Sequence, residues 1–451
     1  MNTGDTAWVL ASAALVMLMT PGLAFFYGGM TGKRSTLNML MMNFITLGVV
    51  SVLWMLYGYS EAFGSDAFGG LVGGGHNLLL HNTVGALAGA KPDQISTLAF
   101  VMFQLMFAVI TPALITGAIA DRAKFWSWTL FVALWATIVY FPVAHWVFDF
   151  SGFTSSDAVG GWIANNLKAF DFAGGTAVHI NAGAAGLALA LVLGKRTGWP
   201  KKLNRPHNVP FVLLGASLLW FGWYGFNAGS ALGASDLAAV AFTTTTTATA
   251  AAVLAWLVIE QILDGKPTTI GAASGAVAGL VAITPACGFV DPLGALIIGI
   301  VAGAVCALAI RLKYKLGYDD SLDVVGVHLV GGLIGTLMVG LLATTAVNSL
   351  GGDGLFYGGG WSQLGKQAAA AFSVMIYSFV LSYIIGWIIN KTIGFRVSPE
   401  AEAAGIDDAE HAETAYEFGD TVPGRIAESA PAPAGRATVA AGTGKQEGSV
   451  A

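Results

Sequence analysis

DFAGGTAVH, residues 171–179, and DSLDVVGVH, residues 320–328, each place a histidine eight residues after an aspartate, within stretches that are otherwise apolar and poor in charge. An ionisable group at membrane depth is expensive, so the default reading of such a residue is functional. Two matched units, one in each half of the hydrophobic region, indicate a duplicated transporter core with its chemistry near the bilayer midplane. A neutral imidazole both donates and accepts hydrogen bonds without carrying a buried charge, which suits a pore handling a weak acid or base. The plainer alternative is a pair of histidines satisfied by neighbouring backbone carbonyls; the repeated spacing weighs against it.

Composition agrees with a membrane setting. Of 451 residues, 55% are hydrophobic and 10% charged, where a soluble protein carries about 25% charged residues. The chain therefore reads as an all-α integral membrane protein with the lipid bilayer as its solvent. Its net charge of -5 reflects an acidic tail and says little about partners. Lysine and arginine are thinly spread and no basic patch alternates with aromatics, which argues against nucleic-acid binding. Cys287 and Cys306 lie in apolar segments outside any CxxC or Cys-His cluster, so neither a disulfide framework nor a metal site is indicated. The 60 glycines point to close helix packing, with Gly299, Gly303, Gly331, Gly332 and Gly335 as contact positions.

A hydrocarbon core about 30 Å thick needs about 20 apolar residues per helix. Eleven stretches qualify: 8–27, 37–59, 98–120, 125–145, 174–193, 210–232, 237–263, 269–288, 292–313, 322–344 and 368–390. The first lacks a basic leader, carries Asp5 and is followed by Lys33-Arg34, so it reads as a retained helix rather than a signal peptide. Of the 21 lysines and arginines, fifteen fall in one alternating set of breaks or, as Lys391 and Arg396, directly after the last helix, and three more lie in the tail beyond 419. The fifteen include Lys33, Arg34, Arg122, Lys124 and the run from Lys195 to Arg205. The opposite set holds only Lys91, Lys168 and Lys366. By the positive-inside rule the N-terminus lies outside and the C-terminus in the cytoplasm of a cell membrane. Five helices repeated in inverted orientation bring the starts of the fifth and tenth spans, and so the two histidines, together across a pseudo-two-fold axis. The eleventh span lies outside that symmetry. Residues 1–395 then form the transmembrane domain. An acidic, helix-compatible cytoplasmic segment follows to Phe418, and an Ala/Pro/Gly-rich disordered tail spans 419–451.

Several ordered motifs resemble the ammonium transporter family, whose distant relatives are the Rh proteins. They are DFAGGTAVHINAG (171–183), GWYGFNAGSAL (222–232), DVVGVHLVGG (323–332), TPACGFV (284–290), FQLMFA (103–108) and the tail pattern around 405–416. The resemblance implies a homotrimer with one pore per subunit and an ammonium transporter or channel in place of an enzyme, with no cofactor. In that family's terms Ser230 supplies the hydroxyl of an external ammonium site. Phe107 serves both that site and a phenylalanine gate, Phe226 is its stacked partner, Trp223 lines the pore, and His179 and His328 form the pore pair. Asp171 resembles a buried acid near the external vestibule. One departure stands out: Phe148 occupies the position where the family commonly has tryptophan, and phenylalanine offers a weaker π face. The tail resembles the segment that couples subunits and responds to a cytoplasmic PII signalling protein.

The same residues can be read without the family. Moving an intact ion through an apolar centre costs several kcal/mol, at about the level of burying any unpaired charge, whereas ammonia is uncharged. A pore of phenylalanine rings and histidines therefore favours deprotonation before passage, leaving open whether the proton crosses too. Plain alternatives stand beside each role: Phe107 and Phe226 are two of 26 phenylalanines, Ser230 can bond its own helix backbone, and Asp171 and Asp320 can simply cap helices. An intramembrane enzyme lacks support, since no HxxxH, HExxH or GxSxG motif occurs. An ammonium sensor acting through its tail and a sodium-coupled solute transporter remain the alternatives.

Overall fold

The computed structural model describes residues 1–201 and 205–417. Lys202, Phe418 and the expected disordered tail at 419–451 lie outside the described residues. The chain is mostly helical. Among the described residues the only sheets are two short hairpins, pairing Asp66–Ala67 with Val72–Gly73 and Leu87–Ala88 with Ile95–Ser96.

Among the described residues, ten helices are long and apolar enough to cross a membrane: α1 Thr3–Met30, α2 Thr36–Phe63, α3 Thr97–Ile119, α4 Phe125–Phe148, α5 Gly175–Leu193, α6 Val209–Ala231, α7 Asp236–Asp264, α9 Pro292–Leu316, α10 Val325–Leu342 and α11 Ser362–Thr392. Between α7 and α9 lies the shorter α8, Thr269–Ile283. Each of the eleven expected stretches thus holds a helix, but the eighth falls short of the 20 residues assigned to it. Pro285 explains the early stop, because a proline two residues on cannot continue the hydrogen-bond ladder. The freed segment becomes a wedge: the Pro285 carbonyl accepts the Phe172 N–H at 3.1 Å, and the Pro285 ring fills the space beside Gly175.

Glycines set the closest helix approaches, as the composition suggested. Gly299 and Gly303 of α9 face the backbone of Ala248 and Ala252 on α7, and Gly335 of α10 faces Ala282 on α8. Added side chains there would overlap main chain. Residues 1–415 form one compact unit, so the segment after Arg396 packs on the helices as far as Ala415. That segment is two short helices, α12 Pro399–Ala404 and α13 Ile406–His411.

Candidate functional site

α5 and α10 begin alike, and the aspartates explain how. The Asp171 carboxylate accepts the N–H groups of Gly174 (2.7 Å), Gly175 (2.8 Å), Thr176 (2.7 Å) and Ala177 (3.3 Å). Asp320 accepts those of Val324 (3.1 Å) and Val325 (2.7 Å). A helix start leaves backbone donors unpaired and favours negative charge, so both aspartates cap. Five residues before each histidine the backbone takes a left-handed conformation, at Gly174 (φ 117°) and Asp323 (φ 65°). Each histidine then sits in a π-helical turn, Gly175–Ile180 or Val325–Leu329. Such turns insert an extra residue and re-aim side chains, often at functional sites.

The two halves meet reciprocally. Four residues beyond His179, Gly183 abuts the backbone of Leu329, the residue after His328. Four residues beyond His328, Gly332 abuts Ile180, the residue after His179. This exchange of equivalent contacts brings the two imidazoles together. Their Nδ1 atoms are 3.3 Å apart, and the rings lie 5.4 Å between centroids at 17°. Both side chains are buried.

The hydrogen bonds around the pair assign its protons. The Tyr27 hydroxyl donates to the Leu114 carbonyl at 3.1 Å, which leaves its oxygen to accept from His328 Nε2 at 3.4 Å. With Nε2 protonated in a neutral ring, His328 Nδ1 is an acceptor, and His179 Nδ1 must donate to it. His179 Nε2 is then a bare acceptor, and it is buried without a protein partner. Trp223 stacks on His179 at 5.4 Å and 14°; its indole is fixed by a 2.8 Å bond to the Thr284 hydroxyl. Both imidazoles border a narrow cavity of about 10 Å³ walled by Met19, Ile110, Val178, Leu219, Trp223 and Phe226. That volume is about the minimum that holds one water.

A vestibule of about 720 Å³ lies on the other side of Phe107, lined among others by Gln104, Phe107, Phe148, Asp171 and Ser230. Phe107 borders the vestibule and Phe226 the narrow cavity, with ring centroids 4.2 Å apart at 31°. The tilted pair thus lies between the two spaces. Phe148 meets Phe107 edge-on at 6.3 Å. The Ser230 hydroxyl donates to the Phe226 carbonyl at 2.7 Å, so it bonds its own helix while its oxygen remains in the vestibule wall. Trp146, near Phe148 in sequence, is not part of this wall: its indole donates to the Leu71 carbonyl at 2.9 Å, and its ring packs against Trp162 and Tyr377. Among the described residues, no three His, Cys, Asp or Glu side chains gather as metal ligands would.

The model of the Ammonium Transporter Family matches residues 7–416. The chain belongs to the ammonium transporter family. An ammonium transporter of Mycobacterium tuberculosis is 60% identical over 450 residues, covering 94% of this chain and 93% of that protein. The crystal structure of Saccharomyces cerevisiae Mep2 superposes with a TM-score of 0.76 at 34% identity, covering 88% of this chain and 91% of that one. A structure described as a sensor Amt protein superposes with a TM-score of 0.81 at 29% identity, covering 90% of this chain and 98% of that one.

In this member of the family, sequence reasoning passed over Tyr27, Thr284 and Gln104. Tyr27 orients His328, Thr284 fixes Trp223, and Gln104 is a buried amide in the vestibule wall. A charged network joins the end of α5 to the start of α10, beside the Asp320 cap. Arg196 donates to Asp319 at 2.9 and 3.0 Å, and buried Arg122 donates to the Asp319 carbonyl at 2.6 Å. Burial opposes ionisation of Asp319, yet the Arg196 bonds hold its carboxyl below the usual range.

Proposed function

We propose that this protein is an ammonium transporter of the cell membrane, working as a homotrimer with one pore per subunit. The vestibule faces outside and the C-terminus the cytoplasm, on the lysine and arginine bias of the breaks. Ammonium loses part of its hydration against Phe107, Phe148 and the Ser230 oxygen, with each cation–π contact contributing about 0.5–2 kcal/mol. The Phe107–Phe226 pair bars the charged species, because an ion entering an apolar space of one water's volume loses several kcal/mol or more of hydration, on the order of other unpaired buried charges. Ammonia continues without charge. The bare Nε2 of His179 accepts one of its N–H groups, and His328 and Tyr27 hold that ring in the accepting tautomer. The released proton crosses by a separate route, which makes net transport electrogenic. Asp171 contributes by capping α5 and by its charge at the vestibule wall. No cofactor takes part, and the activity is transport rather than catalysis.

The single observation that carries this reading is the Nδ1–Nδ1 contact at 3.3 Å between two histidines lining an apolar cavity, with Phe226 of its wall packed 4.2 Å from Phe107. The test is current and uptake recording on purified protein in liposomes, with ammonium, methylammonium, sodium and potassium. Currents with ammonium and methylammonium alone, unchanged when sodium is withdrawn, are expected. Sodium dependence would replace the reading with sodium-coupled transport. A second reading, an ammonium sensor signalling through its tail, draws support from the likeness to a sensor Amt protein; ligand binding without flux would favour it.

A further inference from the structure

Behind Phe148 lies a buried polar cluster that the transport path does not use. His145 and Asp149 sit one turn apart at the end of α4, with Nδ1 and Oδ2 3.3 Å apart and both side chains sealed from solvent. The Nδ1–H of His145 donates to the Ala62 carbonyl of α2 at 3.1 Å. A neutral ring therefore leaves its Nε2 as a bare acceptor, and that atom has no partner. Neither carboxylate oxygen of Asp149 receives a hydrogen bond. Tyr59, also on α2, buries a hydroxyl without a partner. The segment packed across the end of α4 offers the carboxylate nothing: Gly161 N–H and the Asn165 amide both bond the Asp149 main-chain carbonyl, at 2.9 Å each. Native proteins rarely leave buried polar atoms unpaired, so this set calls for an explanation.

Asp171 makes the contrast. Its two oxygens take four amide bonds at a helix start, which disperses its charge locally. Asp149 follows Phe148 directly in the chain, and Phe148 and Phe150 on either side of it both line the vestibule. A charge on Asp149 would thus lie one residue behind the cation-facing ring, in surroundings that screen it poorly. We infer that Asp149, held against His145 behind Phe148, is a specificity-determining residue that strengthens cation recruitment in the vestibule when its carboxylate is ionised. This rests on the proposed ammonium-recruiting role of the vestibule.

The groups facing Asp149 are His145 on its own helix, Tyr59 on α2 and Asp66 in the loop after α2. Burial, reinforced by the Asp66 charge, pushes the Asp149 carboxyl up to about 8. The sign follows directly: below that value the carboxyl is neutral and adds no attraction, and above it the negative charge favours a cation. Cation affinity should therefore rise with pH through this range, and bound cation should favour ionisation by the same factor.

Methylammonium binding to purified intact protein, followed by calorimetry from pH 6.5 to 9.5, tests this alongside liposome currents. Wild type should bind about three- to tenfold more tightly at the alkaline end, the range expected for one poorly screened charge about 10 Å away. Asp149→Asn should flatten that dependence and hold affinity at the acid-side value, with maximal current retained. His145→Gln, which keeps a side-chain donor and removes the imidazole, should move the midpoint without abolishing the dependence, and it serves if the Asn variant does not fold. A wild-type profile already flat, or an Asp149→Asn profile that rises like wild type, overturns the inference. Wild type that neither binds nor carries methylammonium would instead overturn the recruiting role of the vestibule.

Discussion

His179 and His328 face each other through Nδ1 at 3.3 Å, and that contact makes the two rings one unit. Removing either ring leaves the other with a buried nitrogen unpaired, a loss of about 1–3 kcal/mol. Each 1.4 kcal/mol is about tenfold in rate. His179→Ala and His328→Ala should accordingly lower selective ammonium current by about five- to hundredfold while the protein stays folded. Wild-type currents with unchanged rejection of potassium in both variants would sink the pore role of the pair.

Tyr27→Phe tests the tautomer assignment. It removes the oxygen that accepts from His328 Nε2, so His328 is free to donate from Nδ1 instead, and His179 Nδ1 then turns acceptor. Current should fall by less than in the histidine variants, by about threefold to tenfold for the loss of one neutral hydrogen bond worth about 1 kcal/mol. Indistinguishable currents would mean that Tyr27 does not set the proton order.

The stacked phenylalanines make a separate claim. Phe226→Ala should widen the neck between the vestibule and the narrow cavity, raising conductance or admitting a continuous file of water. Water permeability of the liposomes, measured by stopped-flow light scattering, reads this directly. Unchanged water permeability and current would remove Phe226 from the gate.

Much of this arrangement was legible before any coordinates. The Asp-x7-His repeat located both caps, both histidines and their meeting, because a cap residue and the turn it starts have a fixed separation along the chain. Ser230, Phe107, Phe148 and Phe226 also fall together at the vestibule and its neck. Tyr27 was not legible: it sits in the first helix, far in sequence from His328, and only packing brings the two together. Its place just before Gly28-Gly29, where a helix can approach another closely, was the one available signal. The π-helical turns were hidden too, since these segments are apolar on all sides and offer no polar face whose shift would reveal an extra residue. Pro285 did announce the early end of α8, but the apolar run to Gly288 masked it.

Gly183 offers a stability test of the reciprocal packing. A methyl group there would meet the main chain of Leu329, which cannot rotate away. Gly183→Ala should destabilise by about 1–3 kcal/mol, as overpacking does, and lower the apparent melting temperature in detergent. Gly332→Ala should do less, because an added methyl there would meet Ile180 and the Gly175 carbonyl at 3.0–3.1 Å, against 2.4 Å to the Leu329 main chain at Gly183. Equal melting temperatures for Gly183→Ala and wild type would show that the halves are not pressed together at this point.

The Phe148 side of the vestibule predicts an affinity change. Phe148→Trp would enlarge the π face beside Phe107, and the difference between a modest and a good cation–π contact is about 0.5–1 kcal/mol. The half-saturating ammonium concentration should drop by about two- to fivefold with maximal current preserved. No change, or a rise, in a folded variant would place the cation elsewhere in the vestibule.

The tail supplies the last prediction. The acidic segment after Arg396 docks on the helices through specific contacts. Asp407 Oδ1 accepts the Asn38 N–H at 2.8 Å in the first turn of α2, and Glu410 accepts the Phe125 N–H at 2.8 Å at the start of α4. His411 lies 3.1 Å from the Asn38 side-chain oxygen, and Glu402 accepts the Thr197 N–H at 2.6 Å. Asp407 and Glu410 thus complete the starts of α2 and α4, each such cap being worth about 0.5–2 kcal/mol. Docking held by a few caps is marginal enough for a partner or a modification to shift it. Deleting residues from Gly405 onward should therefore alter transport or abolish inhibition by a cognate PII protein, whereas deleting those after Asp420 should do little. Asp407→Ala, which removes one cap and keeps the chain, should reproduce part of the longer deletion. If the longer deletion transports normally and responds to PII like the intact chain, the tail has no regulatory role and its docked helices only complete the ends of α2 and α4.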